Sequence, residues 1–121
     1  MESYGMTKQL LETAYETLKT ANLTRSEQQF CEEWLAKSVC YMRTLRFTNT
    51  EPSAEALATL GSKLGYYANQ LAARGDDTST YWSAVLTKLR SQTQAALELR
   101  VRQRWQSVCA VKKTKQREKS L

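Results

Sequence analysis

Few side chains in this chain can do chemistry, and their types narrow the options quickly. Three cysteines, Cys31, Cys40 and Cys109, form no C-x-x-C pair, and histidine is absent. A histidine-based zinc site and an imidazole acid–base mechanism are both excluded. An odd, scattered set of thiols reads as reduced cysteine in a cytoplasmic protein, with Cys31 and Cys40 as small packing residues. No glycine-rich phosphate loop, paired-carboxylate site or nucleophile–base arrangement occurs. No catalytic residue, cofactor or metal site is therefore expected, and no enzyme.

What remains is charge. The 121 residues carry a net +6, unevenly spread. Residues 1–77 hold 8 Lys/Arg and 10 Asp/Glu, giving −2, whereas residues 78–121 hold 10 and 2, giving +8. A basic half beside a near-neutral half points to a polyanionic partner. Within the first half, no acidic residue stands between Glu33 and Glu51, while Lys37, Arg43 and Arg46 are basic. Phosphate oxygens need cations or N–H donors beside a groove, and this stretch supplies them. Thr44 adds a hydroxyl able to reach a base or a phosphate.

These residues must be positioned by helices. One proline, four glycines and no alternating β-branched run leave an all-α chain of about five helices. Leu11, Ala14, Tyr15 and Leu18 line one face of a first helix over Met6–Thr20, with Asn22 at its stop. Thr24 with Glu27, and Ser26 with Gln29, fit the reciprocal cap of a second helix. Its buried stripe is Phe30, Cys31, Trp34 and Leu35, with Glu32 and Glu33 in water. Ala36-Lys37-Ser38 is a tight turn, and Ser38 caps a third helix to about Phe47, with Met42 and Leu45 inward. Asn49 suits a left-handed turn residue. Pro52-Ser53 opens a fourth helix with Leu57, Leu60, Leu64, Tyr67 and Leu71 on one stripe, and a break or kink is expected at Gly65. Tyr66-Tyr67 reads as packing.

Gly75-Asp76-Asp77 is the clearest boundary, with the aspartates as a helix cap. It divides a helical domain at 1–75 from a long helix within 76–111, expected over Thr78–Ala110, and a disordered basic tail at 112–121. The long helix carries Trp82, Leu86, Leu89, Leu97, Val101, Trp105 and Val108, with Thr93 filling the gap after Leu89. Some 33 residues span roughly 50 Å, against a body about 30 Å across. One end must project or find a partner. The stripe of Leu97, Val101, Trp105 and Val108 is the expected partner or dimer interface.

The segment from Ser26 to Leu64 resembles the Cro/repressor-like helix-turn-helix family. Phe30-Cys31 stands for its apolar–small pair and Leu35-Ala36 for the turn entry. Met42 and Leu45 stand for the buried anchors of its recognition helix, and Pro52-Ser53 with Leu57, Leu60 and Leu64 for its closing helix. Ala36 stands where the family commonly has glycine, and Val39-Cys40 where polar side chains normally read bases. The chain also looks like a group of small bacterial proteins of unassigned function sharing Tyr-Met/Leu-x-x-Leu and Pro-Ser-x-Glu-Ala-Leu patterns.

The resemblance implies a cytoplasmic, homodimeric transcriptional regulator that binds double-stranded DNA. Lys37, Ser38, Val39, Cys40, Arg43, Thr44, Arg46 and Asn49 would face the duplex, and the basic arm would add affinity. The alternative is a non-enzymatic helical interaction module, an adaptor or anti-activator working through the Trp105 stripe. No membrane association is expected.

Overall fold

A computed structural model describes the backbone of residues 2–120 and the side chains of Thr7 and of residues 9–109. The basic tail at 112–121, expected to be disordered, lies outside the described residues except for its backbone, which the bounds of the last helix include as far as Ser120. Among the described residues every regular element is helical. The order is α1 (Glu2–Thr20), α2 (Glu27–Gln29) running into a π-helical turn (Phe30–Trp34), α3 (Tyr41–Thr48), α4 (Ala54–Arg74) and α5 (Asp77–Ser120).

Leu11, Ala14 and Leu18 place α1 on the core. The helix stops where Asn22 takes a left-handed φ of 61°, which lets Leu23 N–H close onto the Leu18 carbonyl at 2.8 Å. Ser26 caps α2 by accepting from Gln29 N–H at 3.1 Å. The returning arm of the cap reaches one residue further back than expected: Gln29 Oε1 accepts from Arg25 N–H at 2.6 Å. The expected stripe of Phe30, Cys31, Trp34 and Leu35 is wholly buried, and Glu32 and Glu33 are exposed.

The expected third helix begins later than Ser38. Ala36 adopts a left-handed φ of 54°, and Lys37 N–H reaches back to the Cys31 carbonyl at 2.9 Å. That closure turns the chain through residues 37–40 before α3 starts at Tyr41. Cys40 sits at the cap position without a side-chain capping hydrogen bond, and Ser38 contributes its carbonyl, which accepts from Tyr41 N–H at 3.0 Å. Met42 and Leu45 are buried as expected, and Asn49 ends the helix at φ 54°. Tyr41 ties this corner to the next helix, because its Oη accepts from Ser53 N–H at 2.9 Å.

Ser53 caps α4 through Ala56 N–H at 3.1 Å. The expected break at Gly65 is absent: α4 is continuous from Ala54 to Arg74. Two interior glycines cost about 2 kcal/mol of helix propensity relative to alanine. Complete burial of Leu57, Leu60 and Leu64 outweighs that cost, at about 1.5–3 kcal/mol per side chain. Both glycines face α5. A Cβ on Gly65 would meet Arg90 Nε at 2.8 Å, and one on Gly61 would lie 3.7 Å from Thr93 Cγ2.

Asp76 starts α5, its carboxylate accepting from Ser79 N–H at 2.9 Å. Leu86, Leu89 and Thr93 are buried, and Thr93 satisfies its hydroxyl on the Leu89 carbonyl at 2.8 Å. Ser83 Oγ donates across to the Ala68 carbonyl at 2.8 Å, stitching α5 to α4. Leu86 and Leu89 belong to the same apolar cluster as Leu11, Phe30 and Leu57, so the first half of α5 completes the core of the preceding helices. At 44 residues α5 is about 66 Å long, well beyond that core.

Candidate interaction site

The residues expected to face DNA do gather at one corner, on the 37–40 turn and α3. Ser38, Val39, Arg43, Thr44, Arg46 and Asn49 are exposed, while Lys37 and Cys40 are half-buried. Their charges do not stand alone. Arg46 follows the buried Leu45, which aims it along the edge of α1 and α2. There Nη1 donates to Glu12 Oε1 at 2.8 Å and Nη2 to Glu27 Oε1 at 2.6 Å. These hydrogen bonds, the one to Glu27 first, push the guanidinium above its ordinary range. Lys37 Nζ lies 3.3 Å from Glu55 and 5.7 Å from the centroid of the Tyr41 ring. Arg43 reaches only Cys40 Sγ, at 3.2 Å, with no carboxylate partner among the described residues.

Three cations and three carboxylates therefore share this corner, and its formal charge is zero. Each exposed pair contributes under about 1 kcal/mol to stability. The consequence for recognition is larger, because a phosphate approaching Arg46 meets two carboxylates already in place. The acid-free run of sequence is not an acid-free surface. Glu12 and Glu27 lie 34 and 19 residues from Arg46 in the chain, and no local pattern announces them.

One feature of this corner was not singled out from the sequence. Phe47, on the outer face of α3, is 90 % exposed. It lies two residues, or about 200° around the helix, from the buried Leu45 and so points away from the core, although capping signals put the start of α3 two residues too early.

A second candidate lies on α5. Leu97 is half-buried against the core, so it belongs to the body. Among the described residues, the last ion pair between α5 and the rest of the chain joins Arg100 to Glu51 at 3.6 Å. From residue 101 to residue 109 every side chain is exposed. Val101, Trp105 and Val108 are 43 %, 53 % and 49 % exposed, although they fall within one side of the helix at 3.6 residues per turn. Arg102 is engaged by Glu98 at 2.9 Å, and Arg104 has no carboxylate partner among the described residues.

Between α1 and α5 lies an open groove of about 550 Å³, lined by residues including Leu10, Thr13, Ala95, Ala96 and Leu99. Among the described residues, none of those that line it is charged. On the opposite flank, Lys63 pins α4 to the π-helical turn. Its Nζ donates to the Glu33 carbonyl at 2.6 Å and sits 4.9 Å from the Trp34 ring centroid. Tyr67 packs on Trp34 with centroids 5.1 Å apart, whereas Tyr66 is exposed. No group of three or more metal-ligating side chains occurs among the described residues, and no helix there is long and apolar enough to cross a membrane.

This helical bundle with a projecting terminal helix matches a family model over residues 11–106, so the chain belongs to the DUF6626 family, a family of unknown function. The matched stretch takes in α2 to α4, about half of α1 and the stripe as far as Trp105. No curated protein and no solved structure matches the chain.

Proposed function

We propose that the chain is a non-enzymatic helical interaction module whose working surface is the projecting stretch of α5. The observation that carries this reading is the exposure of Val101, Trp105 and Val108 on one side of a helix, past the Arg100–Glu51 ion pair that ties it to the body. Partly exposed valines and a tryptophan aligned over two turns are a seam that water covers poorly. Tryptophan and arginine together are also the residue types that dominate binding energy at protein interfaces. The core beneath holds this seam at a fixed place by anchoring the first half of α5.

A second reading keeps the DNA-binding regulator, with α3 in a major groove and the basic arm adding affinity. The helix order across 27–74 and the exposed Arg43 favour it. The paired state of Lys37 and Arg46 weighs against it. The two readings separate in one set of measurements on the full chain, using parent, W105A and the double variant R43A/R46A. Mobility shifts on mixed-sequence duplex are run at two salt concentrations beside light scattering. The interaction-module reading expects R43A/R46A to leave any duplex affinity within about twofold, since on that reading duplex contact is made by the basic arm. A loss of tenfold or more in R43A/R46A, with W105A unaffected, would return the function to α3.

A further inference from the structure

Resting on the interaction-module reading, we infer that the arm of α5 seats an acidic amphipathic protein helix, with carboxylates flanking an apolar stripe. Three observations select this occupant. Residues 100–121 contain eight basic residues and one acidic residue, Glu118, for a net +7, whereas residues 1–99 contain ten and eleven, for −1. A second copy of the arm laid along the first, in either direction, sets +7 against +7, so self-pairing is opposed by the arm's own charge.

The seam itself is shaped for a helix. Leu97, Val101, Trp105 and Val108 follow 4-4-3 spacing, which places them along one side over about three turns. Leu97 anchors the lower end in the body, and the other three await cover. A duplex groove presents phosphates and base edges and would leave this stripe in water. A lipid surface fits no better, because Arg104 lies within roughly 60° of Val101 and Val108 around the helix. A guanidinium so close to the stripe narrows the apolar face that could sink into an interface.

Arg104 supplies the directional element. Arg100 and Arg102 already face Glu51 and Glu98, while Arg104 has no carboxylate partner among the described residues and borders the seam. A partner carboxylate beside its own apolar stripe would meet Arg104 while the stripes close.

The test uses the full chain and a synthetic heptad-patterned peptide with leucines in its seam and glutamates flanking them. Peptide binding is followed by fluorescence anisotropy. Controls are a peptide of identical composition with the seam scrambled, mixed-sequence duplex DNA, and phosphatidylcholine vesicles containing phosphatidylglycerol, all at the same salt. The patterned acidic helix is expected to bind, the scrambled one at least about tenfold more weakly, and W105A and R104E each to weaken binding about tenfold. Both variants change exposed residues, and circular dichroism melts verify that the body is unaltered.

Equal binding of the scrambled peptide overturns the inference. So does tighter binding of duplex or vesicles than of the acidic helix, or a parent dimer that W105A dissociates. If any of those competing events is lost in W105A, the arm remains the working surface and only the acidic partner falls. If W105A alters none of the binding events, the interaction-module reading falls as well.

Discussion

Ala36 is the residue at which the backbone is most plainly under strain. Its φ of 54° costs an L-residue about 1–2 kcal/mol, and glycine escapes that cost. The A36G variant is expected to gain up to roughly 1 kcal/mol, since added freedom in the unfolded chain offsets part of the relief. A higher urea midpoint at unchanged slope is the readout. Cys31 gives a second prediction. Burial, its largest influence, pushes the thiol above its ordinary range. At neutral pH the thiol is protonated whether the chain is folded or not. Above about pH 8.5, where an unfolded thiol ionises, the unfolded chain releases a proton that the folded chain keeps. Stability therefore falls as pH rises from there, and C31A flattens that slope even though it lowers the baseline. Thiol labelling of the native chain is expected to start at exposed Cys109, continue at half-buried Cys40 and reach Cys31 only on unfolding. The burial of Phe30, Cys31, Trp34 and Leu35 was legible from spacing alone. The carboxylates on Arg46 were not, because a contact between α1 and α3 leaves no trace in local periodicity.

At the scale of elements, α4 shows how packing overrules propensity. Its glycines read as weak points along the chain, yet the helix runs through both, with Thr93 beside Gly61 and Arg90 beside Gly65. Gly61 has room for a methyl group at ordinary contact distance from Thr93, so G61A is expected to add about 0.5–1 kcal/mol through helix propensity alone. In G65A the new methyl displaces the far end of the Arg90 side chain, which is exposed and flexible. That variant is expected to be close to neutral. Comparing the two melts tests whether the glycines are packing devices: a large loss in G61A would mean that the helices are tighter there than the contacts indicate. Helix ends followed the sequence unevenly. Ser26, Ser53, Asn49 and Gly75 mark their boundaries through side-chain caps or left-handed angles, which residue type reveals. The start of α3 depends instead on a backbone closure from Lys37 to Cys31, and Ser38 offered a cap that the chain does not use.

The whole molecule divides its labour by charge and by shape. Some charged side chains of the body pair off, as Lys37 does with Glu55 and Arg46 with Glu12 and Glu27. The excess positive charge is left on the arm. That segregation was visible in the sequence, but which half of it is available to a partner depended on pairs that only the fold creates. The one-sided anchoring of α5 also has a thermal signature. Residues 101–109 have exposed side chains throughout, so their helix draws little support from packing on the body, and helix without tertiary support is marginal in water. Its opening breaks nothing in the body, so the two events are uncoupled. Far-ultraviolet ellipticity should drift downward on warming, well before the cooperative transition seen in the near-ultraviolet. A ligand clasping the seam should abolish the drift while barely moving the transition. A flat baseline in the isolated chain would mean that the seam is already covered.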